Sequence, residues 1–252
     1  MGSNAWYGWK KDSQDDRDLR LKITKNVIKT LPESYDLIKW MPPVYDQGEL
    51  GSCSANAVGA SLQYNQRKQK VLVFRPSRLF IYYNTRVLEK TVDEDSGATI
   101  RNAVKSVVKC GACTETRWPY KIDQFTLKPT PVCYGEGSHH KAVVYRRVAR
   151  TIPQLQGCIA SGFPIIFGFM VYSSFESEEV SKTGIVPMPS KREECMGGHA
   201  VLAVGYDKAK KWFICRNSWG NDWGDKGYFY LKEDYFTNPE LSDDFWVVEM
   251  VS

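Results

Sequence analysis

The stretch "QGELGSCSANAVG", Gln47 to Gly59, places a cysteine between a glycine-rich turn and the start of a helix. Ser52 is a suitable N-cap. The small and apolar residues that follow repeat with the spacing of one helical face: Ala55, Val58, Gly59 and Leu62. A thiol at a helix N-terminus lies near unpaired N–H groups, which favour the reactive thiolate. Cys53 is therefore a candidate nucleophile; the alternative is a small buried hydrophobe.

The composition is that of a globular protein: 42% of the 252 residues are hydrophobic and 25% are charged. The net charge of +5 is spread over scattered Lys and Arg, so we expect no nucleic-acid partner. The first residues are polar and predict no secretory signal. The longest apolar run, Phe163–Tyr172, has about half the length of a membrane span, so we expect no membrane partner. We also expect a monomer without a cofactor.

Seven cysteines are an odd number, so at least one is free if the monomer forms all its own bridges. Cys110 and Cys113 form a CxxC motif. This motif is a redox pair, half a zinc site or two ordinary thiols. No second CxxC exists, and no histidine has zinc-finger spacing, so we expect no metal site.

Helical patterns precede strand patterns along the chain. Residues 1–30 are charged and weakly periodic, and they predict an arm that precedes the domain at 31–252. One predicted helix begins near Ser52, and three more cover 76–90, 99–111 and 153–162. Pro76 is expected in the first turn of its helix, and Gly111 is the expected C-cap of the next. Predicted strands cover 142–148, 164–172, 199–207, 211–217, 227–232 and 245–251. This order predicts an α+β fold with a helical lobe at about 45–140 and a sheet lobe at about 141–252. A cleft between two lobes is a natural ligand site.

A cysteine nucleophile needs a base, usually histidine. His139 and His140 lie in a polar loop and are expected to be solvated. His199 opens a strand after two glycines; the alternative is a core histidine.

Two amide side chains complete the candidate set. Asn217 follows His199 by 18 residues, so adjacent strands bring the two together, and the amide oxygen can accept the imidazole N–H. Gln47 precedes Cys53 by six residues and can donate to an oxyanion. The alternatives are a turn asparagine and an exposed loop glutamine.

His199 and Asn217 follow Cys53 by 146 and 164 residues, close to the spacing of the papain and cathepsin signature. With "QGELGSC", "SGATIRNAVK…WPY", "GGHAVLAVGYD" and "NSWGNDWGDKGY", residues 31–252 resemble the papain-like cysteine peptidases. The resemblance implies a two-lobed α+β fold with an antiparallel sheet or barrel in the second lobe and the active site in the cleft.

The resemblance also implies roles for individual residues. Cys53 is the nucleophile, His199 its acid–base partner, Asn217 orients the imidazole, and Gln47 contributes to the oxyanion hole with the Cys53 N–H. The implied substrate-binding residues are Ser96, Gly97, Gly168, Gly198, Ala200 and Trp219.

The implied function is a cysteine endopeptidase that hydrolyses peptides or proteins through a thiolate–imidazolium pair and an acyl-enzyme. A Cys–His acyl transferase or amidase on the same fold, and an inactive peptide-binding homologue, remain alternatives. The resemblance places Gly168 and Ala200 in the walls of the pocket that selects a substrate side chain. Because both residues are small, we expect a roomy pocket that prefers bulky apolar side chains, with Phe169, Met170 and Phe245 as lining. If Asp243 or Asp244 faces inward instead of facing water, Arg or Lys is favoured.

The bridges that are usual in relatives lack partners here. Leu50 stands where many relatives carry a cysteine, and the usual partners of Cys133 and Cys195 are missing. We therefore expect no required disulfide, which favours a reducing, cytoplasmic compartment. We expect Cys53 to be alkylated faster than the other six cysteines. Residues 1–30 are expected to pack on the surface near the cleft as a short pro-like segment; the alternative is a disordered tail.

Overall fold

The computed structural model describes residues 7–142 and 144–249. Residues 1–6 of the predicted arm, and Val143, Met250 and Val251 of predicted strands, lie outside the described residues. Within the described part of the chain, no helix is both long enough and apolar enough to cross a membrane.

The three longest helices precede the long strands, as predicted, and shorter helices lie between the strands. The described helices are α1 (Lys25–Lys29), α2 (Cys53–Gln69), α3 (Arg78–Glu89), α4 (Ile100–Cys110), α5 (Pro131–Gly137), α6 (Ile152–Ala160), α7 (Glu178–Thr183) and α8 (Glu233–Thr237). Ser52 and Gly111 occupy the predicted cap positions. Pro76 does not lie in a helical turn, because α3 begins at Arg78 after the N-cap Ser77, whose hydroxyl accepts the Phe80 N–H at 3.1 Å.

The strands form one large, mostly antiparallel sheet and one short pair. They are β1 (Trp9–Lys10), β2 (Arg20–Leu21), β3 (Ser34–Asp36), β4 (Ala98–Thr99), β5 (Val144–Val148), β6 (Ile165–Tyr172), β7 (Cys195–Asp207), β8 (Trp212–Arg216), β9 (Tyr228–Lys232) and β10 (Ser242–Glu249). The large sheet has the order β2-β5-β10-β6-β7-β8-β9, with β3 beside β7. Its pair β2–β5 is parallel, and β1 pairs with β4 in parallel outside it. The predicted α+β fold is confirmed.

Helix α2 lies between the helical half and the sheet half of the molecule. Residues 53–66 are all buried, and α2 contacts α3 and α4 on one side and β7 and β10 on the other. A helix that is enclosed on all sides holds its first residue in a fixed position. Cys53 therefore faces β7 at the junction of helices and sheet.

The arm packs against both halves of the molecule. Strand β2 extends the edge of the sheet beside β5. The Gln154 side chain forms two hydrogen bonds with the backbone of Ile23: it accepts from the N–H at 2.8 Å and donates to the carbonyl at 3.1 Å. Ile23 is buried against Gly157, where an added Cβ would come within 2.6 Å of it. Residues 7–30 are thus an ordered part of the fold and not a disordered tail.

Candidate active site

Cys53 is the first residue of α2 and has no exposed surface. Burial raises the pKa of its thiol to about 11, and hydrogen bonds from the backbone of Ala200 and Gly8 oppose this shift. Ala200 directly follows His199 on β7. The bond between Ala200 and the thiol therefore brings the start of α2 and the candidate base to one point of the cleft.

His199 is held by Asn217, as the sequence predicts. The ring Nε2 lies 2.8 Å from Asn217 Oδ1, and the same oxygen accepts the Ser218 N–H at 2.8 Å. Because this oxygen accepts from Ser218, Nε2 is the donor, and Nδ1 carries the lone pair. Nδ1 is buried and has no hydrogen-bond partner among the described residues. The imidazole is thus oriented to take a proton through Nδ1.

Aromatic rings enclose the His199–Asn217 pair. The Trp219 ring lies 5.1 Å from the His199 ring at an angle of 32°, and Phe169 approaches the imidazole edge-on at 5.8 Å. Burial lowers the pKa of His199 to about 4, and the Asn217 hydrogen bond acts in the opposite direction. In this closed form, burial favours a neutral thiol beside a neutral imidazole.

Gln47 ties the turn before Cys53 to the segment after Asn217. Its amide Nε2 donates to the Leu50 carbonyl at 2.9 Å, and its Oε1 accepts the Ser218 hydroxyl at 2.5 Å. Its backbone N–H donates to the Ser218 carbonyl at 2.9 Å. Gln47 is fully buried and not the exposed loop residue of the alternative interpretation.

The arm lies in the cleft directly over Cys53. Strand β1 pairs with β4, and the Gly8 carbonyl accepts the Ala98 N–H at 2.7 Å. A Cβ added at Gly8 would lie 1.9 Å from the Gly51 oxygen, and one added at Gly97 would lie 2.2 Å from the Gly8 oxygen. Only glycines allow the arm to approach this closely.

Tyr7 and Trp9 flank the nucleophile on opposite sides. The Tyr7 ring lies 6.0 Å from the rings of both His199 and Trp219, and its hydroxyl donates to Glu176. The Trp9 indole lies against Gly168 and Gly198, where an added Cβ would come within 2.0 and 2.8 Å of its ring. The arm thus fills the cleft on both sides of Cys53.

The pocket around Trp9 differs from the sequence prediction in its floor. Asp244 is buried and accepts the Trp9 Nε1–H at 3.1 Å, so it does not face water. Phe169 lies on the opposite face of β6 from Gly168, against His199 and Phe229. Phe245 stacks on Phe167, also on that opposite face. The expected lining by these two phenylalanines is therefore wrong.

Four charged side chains surround Asp12, the next buried residue of the arm. Arg147 bonds Asp12 at 2.9 Å, Asp18 at 2.8 Å and Asp244 at 3.1 Å, and Arg101 bonds Asp18 at 2.6 Å. We call Asp12, Asp18, Arg101, Arg147 and Asp244 the ionic cluster. It joins the arm to α4 in the first half of the chain and to β5 and β10 in the second.

The other predicted binding residues have varied positions. Gly97, Gly168 and Gly198 contact the arm, and Trp219 contacts Tyr7. Ala200 contacts the Cys53 thiol, and the Ser96 hydroxyl donates to Thr91 at 2.8 Å. Sequence reasoning missed Tyr7, Trp9 and the inward direction of Asp244. Two large aromatic residues within a charged arm are the signal that marks them.

All seven cysteines lie in the described part of the chain, and each is a free thiol. Cys113 and Cys133 are buried beside Phe80, and Cys110 packs against them. The described residues contain no group of His, Cys, Asp and Glu side chains arranged to hold a metal ion.

A family model described as papain family cysteine protease matches residues 31–244. The chain is 41% identical to an uncharacterized peptidase C1-like protein of Acanthamoeba polyphaga mimivirus, over 98% of this chain and 87% of that protein. It is 31% identical to a cathepsin B-like protein of Giardia intestinalis, over 80% and 69%. The crystal structure of xylellain, a cysteine protease from Xylella fastidiosa, matches with a TM-score of 0.93 and 42% identity, over 98% and 97% of the two chains.

Proposed function

Because the chain belongs to the papain family of cysteine proteases, hydrolases that act on peptide bonds, we propose that it is an endopeptidase whose nucleophile is Cys53. One observation carries this proposal. Asn217 holds the far nitrogen of His199, while the residue next to His199 bonds the Cys53 thiol. Nucleophile, base and orienting group thus meet in one cleft.

The proposed reaction has two steps. His199 Nδ1 takes the thiol proton, the sulfur attacks the substrate carbonyl carbon, and His199 returns the proton to the leaving amine. Water, deprotonated by His199, then hydrolyses the thioester and frees the acid. We assign the oxyanion to the Cys53 N–H and the Gln47 amide; a donor of this kind contributes roughly 10²–10³ in kcat.

We propose further that the arm is a pro-like segment that keeps the enzyme latent. At the sulfur, the arm presents the Gly8 N–H, while the Gly8 carbonyl points away to Ala98. A thiolate attacks a carbonyl carbon, so the arm occupies the cleft in an orientation that does not favour its own cleavage. Burial by the arm also opposes the ion pair, because it raises the Cys53 pKa and lowers the His199 pKa.

Hydrolysis of a peptide library by wild type, Trp9→Ala and Cys53→Ala tests the function. We expect slow cleavage by wild type, faster cleavage by Trp9→Ala, which empties the pocket against Gly168, and none by Cys53→Ala. Adding a primary amine separates hydrolysis from acyl transfer, because a transferase forms amine adducts. Cleavage that persists in Cys53→Ala contradicts the assigned nucleophile.

A further inference from the structure

The pocket filled by Trp9 has one polar group beside its apolar walls, the carboxylate of Asp244. We infer that, in substrates, this pocket selects a large side chain with a neutral N–H donor, indole above all, and that Asp244 is the specificity-determining residue. This inference rests on the proposed function, since it assigns the pocket to substrate once the arm has left. It differs from both sequence expectations, an apolar pocket and a pocket for Arg or Lys.

The pocket has the size of an indole because two backbone positions lack side chains. A Cβ at Gly168 would lie 2.0–2.4 Å from three atoms of the Trp9 ring, and a Cβ at Gly198 would lie 2.8 Å from a fourth ring atom, Cε3. Any larger residue at these positions would narrow the pocket. The aromatic ring of a substrate therefore gains the apolar contact that Trp9 now makes.

The acceptor at the floor is a fixed carboxylate. Asp244 is 1% exposed, and its Oδ2 accepts the Trp9 Nε1–H at 3.1 Å and the Asp12 N–H at 2.7 Å. Both donors belong to the arm, so both leave with it. Water takes their place in the open pocket. A substrate side chain that displaces this water without offering an N–H leaves the carboxylate oxygen buried and unpaired, whereas a side chain with an N–H restores one of the two hydrogen bonds.

The charge of this carboxylate is already balanced. Its second oxygen, Oδ1, accepts from Arg147 at 3.1 Å. With the arm released, Asp12 and Asp18 are withdrawn, and Asp244 is left with Arg147 and Arg101, a net charge of +1 for the remaining cluster. A lysine or arginine side chain in the pocket would approach this positive cluster, whereas a neutral indole N–H gains the hydrogen bond without the repulsion.

The substitution Asp244→Asn removes the acceptor on the pocket side alone. Arg147 offers only donors, so the amide oxygen of Asn stays on Arg147 and the NH₂ group faces the pocket. There it meets the indole N–H donor to donor. Asp244 has φ +58°, a backbone conformation that Asn tolerates well. Asp243→Asn is the matched control, because Asp243 ion-pairs with Lys11 and Arg150 outside the pocket.

The experiment compares kcat/KM for four peptides that differ only in the side chain entering this pocket: Trp, Phe, Leu or Arg. The full-length chain serves, because the fraction of molecules with an open arm scales all four values equally and cancels from their ratios. We expect Trp to exceed Phe by about tenfold and Arg to be the poorest, the Trp:Phe ratio to fall to about one in Asp244→Asn, and the ratio to persist in Asp243→Asn. A Trp:Phe ratio near one in wild type, or a preference for Arg, overturns the inference.

A second measurement needs no peptidase activity. The rate of Cys53 alkylation reports how often the arm opens. Trp9→Phe removes the indole N–H and keeps a smaller aromatic ring, and we expect it to raise that rate about tenfold in wild type and by a clearly smaller factor in Asp244→Asn, where only the loss of ring contact remains. Equal effects in both backgrounds contradict the role of Asp244. If no peptide is cleaved, the proposed function fails, and this cycle still decides the inference.

Discussion

The reactivity of the Cys53 thiol depends on whether the arm covers it. The same thiol that a helix N-terminus would activate is buried under Gly8, with a pKa raised to about 11 by burial. For the closed chain, this burial leads us to expect slower alkylation at Cys53, in place of the sequence expectation that it reacts faster than the other six cysteines. Cys195 is the exposed cysteine and should react first.

We predict that iodoacetamide labels Cys195 before Cys53 in wild type and that Trp9→Ala reverses this order. Removing the indole deletes a large buried side chain from the arm, at a cost of about 3 kcal/mol or more in docking free energy, so Cys53 labelling should rise by a factor on the order of 100. Peptide mapping after limited labelling measures both sites. If Cys53 labelling is unchanged in Trp9→Ala, the arm does not control access to the thiol.

The residues of the catalytic proposal could be found from sequence because their chemistry is tied to short motifs. Cys53 follows a glycine turn, His199 directly follows two glycines, and Asn217 directly follows β8, the strand beside β7. The predicted start of a strand at His199 is wrong, because β7 begins at Cys195 and already includes both glycines. The direction of Asp244 could not be read in this way. Asp243 and Asp244 are adjacent acidic residues, and only the positive φ of Asp244 turns one of them into the pocket.

At the scale of elements, Trp9 of the arm packs closely against strand β6 because Gly168 has no side chain. A methyl group at Gly168 would lie 2.0 Å from the Trp9 ring, which cannot move far while Asp244 holds its N–H. We predict that Gly168→Ala expels the indole and raises the rate of Cys53 alkylation at least about tenfold, the effect of an overpacked contact.

Gly135→Ala is the control for that change. It introduces the same methyl group in α5, where nothing lies within 4 Å of the added Cβ. Its alkylation rate should equal that of wild type. If both variants behave alike, the contact between Gly168 and Trp9 does not hold the arm.

The free energy of arm docking should also depend on pH, through the protonation of Asp12. Burial and the neighbouring charge of Asp244 raise the pKa of Asp12 to about 7, whereas an aspartate in a free arm has a pKa of about 3.9. Docking therefore takes up a proton. It is strongest below pH of about 4 and weakens as the pH rises through about 7.

The ratio of Cys53 alkylation rates in wild type and Asp12→Asn isolates this effect, because ionisation of the thiol cancels. We predict that the ratio rises with pH between about 4 and 7, by at most about tenfold per pH unit, and levels off at higher pH. Asp12→Asn supplies the neutral side chain at every pH. A flat ratio, or one that falls with pH, contradicts the uptake of a proton on docking.

The long helices and strands could be predicted because each carries its own hydrophobic period. Strands β1 and β2 could not, because each has two residues and is extended only by its partner. Strand β1 pairs with β4, nearly 90 residues later, and no local pattern specifies such a pairing.

At the scale of the whole molecule, the ionic cluster connects three parts of the chain. Arg147 is its centre, because it bonds Asp12 and Asp18 of the arm and Asp244 of β10, and its guanidinium lies 4.5 Å from the centre of the Trp246 ring. Removing Arg147 would leave three carboxylates close together, with Arg101 as the remaining cation of the cluster. The same group thus supports arm docking and the fold.

We predict that Arg147→Ala lowers the free energy of unfolding by about 3–5 kcal/mol, because removing one member of a buried ionic group leaves charges uncompensated. Arg146→Ala is the control from the adjacent position: Arg146 pairs with Glu249 at 2.9 Å and is more exposed, so its loss should cost less than about 1 kcal/mol. Urea unfolding followed by tryptophan fluorescence measures both values. Equal losses in the two variants would mean that the cluster contributes no more than a surface ion pair, and that the arm is held mainly by Trp9 and the pairing of β1 with β4.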